Sequence, residues 1–161
     1  MEPTIDNIYI QQLKERITSS DVTEQEVRDL VAKGGLSDDI IVDAIMGLPN
    51  PFFGDDMNSG TPLPIIQLLI DLGGNVNYYD GWSYPLDDAC FIWNVKLVEM
   101  LLKAGADPDF ITDSDETVLE YHKTDIWYME THYEYDVTPL VQIVELMEKY
   151  SKKTLLNEPS S

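Results

Sequence analysis

The chain has 161 residues, 43% of them hydrophobic, which suits one folded domain and not a disordered segment. Thirty acidic residues against ten basic ones leave a formal charge of −20, which repels nucleic-acid backbones and anionic membrane surfaces and favours a basic partner. Cys90 is the only cysteine, which excludes an internal disulfide framework and a thiolate metal cluster.

In chain order, the opening MEPTIDNIYIQQLKERITSSD lacks a basic segment followed by an apolar run, so it does not read as a secretory signal. No stretch approaches the roughly 20 apolar residues that span a bilayer, and a cytoplasmic location is expected. A first helical pair is predicted from about Ile5 to Lys33, broken near TSSDVT, where Thr23 and Glu26 fit a reciprocal capping box. A second pair takes Asp38 to Met46 and Pro64 to Leu72. Between them GLPNPFFGDDMNSGTP is too rich in proline and glycine for a helix. The third pair covers Pro85 to Ile92 and Val95 to Lys103. The fourth begins at Thr117, runs to about Lys123, and resumes from Pro139 to Tyr150. The tail SKKTLLNEPSS is expected to fray.

These pairs repeat. IIQLLIDLGGNVN, from Ile65, matches LVEMLLKAGADPD, from Leu97, with a shift of 32 residues. Each copy ends its apolar pairs at a glycine, Gly73 or Gly105, suited to the left-handed position just past a helix end. Val98, Leu101 and Leu102 share one helical face. YPLDDAC, from Tyr84, aligns with TVLEYHK, from Thr117, at a shift of 33, pairing Leu86 with Leu119 and Asp87 with Glu120. EVRDLVAKGG and VQIVELMEKY carry the same helical pattern upstream and downstream.

TPLPIIQLLIDLGGNVNYYD and YPLDDACFIWNVKLVEMLLKAGADPDF resemble ankyrin repeats, whose first helix opens on Thr-Pro-Leu-His and whose second ends in Leu-Leu, two residues, then Gly-Ala-Asp. The chain departs from that pattern in placing Asp87 and Glu120 where the family has histidine, and Val118 where it has proline. The resemblance covers Thr61 to Tyr121 well and extends outward more faintly. It implies an all-α, ankyrin-like helical-hairpin solenoid of about four divergent repeats, in a single domain over residues 1–150, with 151–161 a flexible tail. Repeat units of this length cannot bury their apolar faces alone and must stack. Aligning Ile143–Val144 with Leu97–Val98 needs a shift of 46, which places an insertion of about 13 residues within or beside Tyr121 to Thr138. Insertions in repeat proteins fall in loops, often beside the binding face.

That insertion, YHKTDIWYMETHYEYDVTP, gathers aromatics, acids and both histidines of the chain. His122 and His132, with Asp125, Glu130 and Glu134 as oxygen donors, are one candidate: a zinc site or metal-dependent hydrolase. The spacing matches no established metal motif. Asp87–Asp88 and Asp55–Asp56 are adjacent carboxylates, but neighbours on a helix point to different sides, whereas a catalytic acid–base pair must converge across a cleft. Cys90, beside Ala89, reads as a small core residue. GGNVN follows a helix instead of opening one, so it does not cradle phosphate.

The stronger reading is a protein-binding surface. The resemblance places Asp80, Trp82, Tyr84, Asp87 and Asp88 on or near the concave face, with Asp113, Asp115, Glu116 and Glu120 from the next unit. The insertion adds Trp127, Tyr128, Glu130, Tyr133, Glu134, Tyr135 and Asp136. Exposed Trp and Tyr are favoured interface anchors, and carboxylates around them pair with Lys or Arg and steer a basic partner in. In the competing reading, Trp127, Tyr128 and Tyr133 cap the end of the stack as core. The expected protein has no cofactor and no catalysis of its own, and binds neither nucleic acid nor membrane. Compactness, acidity and the aromatic insert resemble bacterial immunity proteins, which cover the active site of a basic toxin, a nuclease being the natural case. The alternative is an ankyrin-type adaptor or effector that binds a host or regulatory protein.

Overall fold

The computed structural model describes residues 5–50 and 60–152. Among them the secondary structure is eight α-helices and one isolated antiparallel bridge, Ile111 with Thr117. The acidic pair Asp55–Asp56 and the tail beyond Lys152 lie outside the described residues. No helix among the described residues is long and apolar enough to cross a membrane. The chain forms two compact units, Met1–Tyr78 and Tyr79–Ser161.

The first unit holds α1 (Ile5–Ile17), α2 (Glu24–Gly34), α3 (Ile40–Met46) and α4 (Leu63–Asp71). The expected capping box starts α2: Thr23 accepts from the Glu26 amide, and the Glu26 carboxylate accepts from the Thr23 amide at 3.0 Å. Helix α1 packs on α2 and α3 on α4, while α1 also meets α3 and α2 meets α4. Two helical pairs are thus stacked first helix on first and second on second, burying Leu13, Ile17, Val27, Ile41, Ile45, Ile66 and Leu69. Lys14 ties the pairs together, its Nζ 2.9 Å from both Asp39 and Asp43.

The second unit repeats this logic with α5 (Pro85–Phe91), α6 (Val95–Lys103), α7 (Val118–His132) and α8 (Thr138–Tyr150). Helices α5 and α6 pair, as do α7 and α8; α5 packs on α7 and α6 on α8. Leu86, Ala89, Leu97, Val98, Leu101, Leu140, Ile143 and Met147 fill the core between them. Both expected helix stops are present. Gly73 and Gly105 take φ of 106° and 100°. The following amides reach back to Leu69 and Leu101 at 2.8 and 2.9 Å, closing the same six-to-one turn twice.

The insertion is organised differently from the expectation. It is not a loop: α7 continues through Thr124–His132 to a length of 15 residues, and only 133–137 connect it to α8. No glycine or proline interrupts the chain between Thr117 and Val137, so nothing in the local chemistry stops the helix at Lys123. The extension adds about 13 Å of helix. Just beyond α8, the Ser151 hydroxyl donates to Asp109 at 2.8 Å and the Lys152 amide donates to the same carboxylate at 2.7 Å.

Candidate interaction site

The sequence-derived candidates all lie in the second unit, at three levels along α5 and α7. The first level is the pair of hairpin tips before those helices. Asp80 accepts from the amides of Trp82 and Ser83 at 2.8 and 2.7 Å, and Gly81, at φ 94°, lets the chain turn there. This rigid turn carries Trp82 outward, 82% exposed. In the next tip the Ile111–Thr117 bridge and a bond from the Val118 amide to the Phe110 carbonyl hold a hairpin that presents Asp113, Asp115 and Glu116 to solvent.

Tyr84 is not part of that surface. Its ring is fully buried and stacked on Phe110 at 4.4 Å. Its hydroxyl accepts from the Asp107 amide at 2.9 Å and donates to the Asp107 carbonyl. Burial pushes its pKa up to about 12. Tyr84 braces the two tips against each other from inside, and its expected contact role is corrected accordingly.

The middle level is partly buried. His122 occupies the register position that Ala89 takes one unit earlier; it is buried and its Nε2 donates to Asp87 Oδ1 at 2.8 Å. Its ring lies edge-on to Phe91 and Tyr121. Asp88 is half-buried, and burial, then the charges of Asp87 and Asp80, push its pKa up to about 7. Glu120 has an exposed side chain, and its Oε2 accepts from the Thr117 amide at 3.1 Å, completing a second capping box.

The third level is the far end of α7 with its connector. Trp127 is 63% exposed, and Tyr128, Tyr133 and Tyr135 are exposed with it. Their rings are in mutual contact. Tyr128 stacks on His132 at 4.4 Å, Trp127 meets the same imidazole edge-on, and Tyr133 lies 6.0 Å from Tyr128 and 5.6 Å from Tyr135. The charge of Tyr133 and a hydrogen bond with it raise the pKa of Tyr128. Glu130, Glu134 and Asp136 are exposed beside them. Asp136, two residues before Thr138, accepts from the Thr138 hydroxyl and amide, which hold its carboxyl below the usual range.

These levels form two patches, not one. Thr117 and His132 bracket α7, so the tips and the ring ladder stand about 21 Å apart along its axis. The cap reading of Trp127, Tyr128 and Tyr133 fails on exposure: the buried side chains of α7 are Val118, Leu119 and His122, all near its start. The two-histidine metal reading fails on geometry. His122 and His132 lie ten residues apart on one helix, about 15 Å along its axis, one buried and the other exposed. Among the described residues no group of three His, Cys, Asp or Glu side chains is placed to hold a metal ion. Cys90 is buried with its Sγ 3.8 Å from Met147 Sδ; burial raises its pKa well above the ordinary value and keeps it an inert thiol.

Sequence reasoning missed Phe91, Tyr121 and His132 as members of these surfaces. Tyr121, Asp125, Tyr128 and His132 follow the spacing of one helical face, a signal visible only once the segment is read as helix. Residues 83–113, which run from the last residue of the first tip through α5, α6 and the turn beyond, match the family model of the ankyrin repeat. No curated protein and no solved structure matches the chain significantly.

Proposed function

We propose, from the premise that the chain carries an ankyrin repeat at residues 83–113, that it is an acidic protein-binding module without catalysis of its own. Ankyrin repeats serve protein–protein interaction, and this one adjoins surfaces with the chemistry of a docking face. One observation carries the proposal: α7 runs past its last buried side chain, His122, and there displays a contiguous ladder of exposed rings beside the exposed acids Glu130 and Glu134. Exposed apolar rings are tolerated on a soluble chain where they meet something.

The partner is a basic protein, and the specific reading is immunity: the chain covers the active site of a basic toxin, a nuclease being the favoured class, with its carboxylates standing where phosphates would bind. The charge of −20 supports this by steering a basic surface inward and repelling the nuclease's own substrate. Co-purification from the native host, with the captured partner identified and rebound to pure protein, tests the binding role. Cleavage assays with each toxin domain encoded beside the gene test the immunity role. Stoichiometric inhibition is expected, and undiminished cleavage by all of them would sink it. Capture of a regulatory protein in place of a toxin would mark an adaptor.

A further inference from the structure

We infer that the far end of α7 and its connector form a receptor for an arginine-bearing segment of the protein partner, with the guanidinium lying on the Tyr128–Tyr133–Tyr135 ladder and Glu130 and Glu134 supplying its countercharge. This rests on the protein-binding reading above and specifies the chemistry of one of its two patches.

The rings are held in place before any partner arrives. Tyr128 is fixed by the stacked His132, whose Nδ1 lies 3.1 Å from the Tyr128 carbonyl. Tyr133 leaves the helix in an extended conformation, φ −136° and ψ 145°, and its amide still bonds to the Met129 carbonyl. In an extended segment alternate side chains share a side, which brings Tyr133 and Tyr135 together, 5.6 Å between centroids. A ladder ordered in advance loses little freedom on binding.

The surroundings call for a cation that the described residues do not supply. No lysine or arginine occurs between Lys123 and Lys149, whereas Asp125, Glu130, Glu134, Asp136, Glu145 and Glu148 all fall in that stretch. Lys123 is committed to Glu148 at 2.8 Å. Neither Glu130 nor Glu134 has an ion-pair partner among the described residues. The C-terminal end of α7 adds the negative end of its dipole. A second copy of the chain, at −20, is repelled, and so is a nucleic acid. Arginine fits better than lysine because its planar, weakly hydrated guanidinium stacks on ring faces and still forks to a carboxylate.

The test uses the full chain and three peptides, Gly-Arg-Gly-Arg-Gly and its lysine and citrulline analogues, read residue by residue from backbone amide NMR shifts. The arginine peptide is expected to move amides of residues 127–136, to bind several-fold more tightly than the lysine peptide, and to lose binding when citrulline removes the charge. Tyr128→Leu with Tyr133→Leu should weaken it at least ten-fold, whereas Glu24→Gln with Asp29→Asn on α2 should change it less than two-fold. Glu130→Gln with Glu134→Gln, which leaves every ring in place, should weaken it about five-fold and guards against a folding defect in the tyrosine variant. Shifts scattered over the whole acidic surface, or wild-type affinity in a folded tyrosine variant, would overturn the receptor. Either result leaves the protein-binding reading intact, because that is judged by rebinding of the co-purified partner. A partner that binds at full strength to the tyrosine variant would likewise discard the receptor alone.

Discussion

Asp88 stands half-buried on α5, with Oδ2 lacking any hydrogen-bond partner among the described residues and two further carboxylates, Asp87 and Asp80, close enough to repel its charge. Burial is the larger cause of its pKa of about 7, and the neighbouring charges add to it. The sign of the stability effect follows. The folded chain holds this proton more tightly than the unfolded chain, so the contribution is fully present below about pH 4 and is lost as pH rises through about 7. Unfolding in urea from pH 4.5 to 8 should therefore show stability falling across that window. Asp88→Asn should flatten this part of the profile and stabilise the protein at pH 8 by about 1–2 kcal/mol, after allowance for solvent screening. Asp87 and Asp88 were legible in the sequence as acids on a first helix. Their unequal environments were not, because the group that engages Asp87 is His122, 35 residues further on.

Helix boundaries were the most legible feature at the scale of elements. Val95–Lys103 agrees with its expected limits, and the neighbouring helices differ by one or two residues at their ends. The reason is local chemistry: a cap that accepts from the helix start, and a glycine that the helix end requires. Gly105→Ala keeps open space around the added methyl group but forces a β-carbon into φ 100°, and should cost about 1–2 kcal/mol in urea unfolding. The turn after α5 makes the same stop without glycine. Trp93 holds φ 54° there, with its amide on the Cys90 carbonyl and the Asn94 amide on Ala89. No composition rule marks a tryptophan for that position. Helix α7 was the element least legible, since its apolar positions lose their period where its packing stops. Its far half serves the surface, so Trp127→Ala should shift stability by no more than about 0.5 kcal/mol. With Tyr133→Ala, it should weaken partner binding at least ten-fold by titration calorimetry.

Across the whole molecule the charge of −20 is a cost to the folded state, because compaction brings thirty carboxylates closer together than ten cations can offset. The ion pairs that do form are mostly at the surface, such as Lys103–Glu99 and Arg16–Glu26, and each contributes little. Added sodium chloride should therefore raise the thermal midpoint up to roughly 0.3 M, as the Debye length shrinks below the spacing of exposed acids. A midpoint that falls with salt would mean that the ion pairs outweigh the repulsion. The same screening should slow association with a basic partner while leaving its dissociation rate nearly unchanged, which stopped-flow mixing separates.

The sequence by itself determined the helical pairs, their glycine stops, the shift of about 33 residues and the acidity, because each depends on residues close together in the chain or on composition alone. Tertiary structure alone decided which candidates are surface and which are core. Tyr84 turned inward because its hydroxyl finds Asp107 across the hairpin tips, and His122 was buried because Asp87 lies opposite on the neighbouring helix. The rings from Trp127 to Tyr135 stayed outside because the buried face of α7 ends at His122. Burial is a property of what packs against a residue, and that is settled only when helices distant in sequence meet.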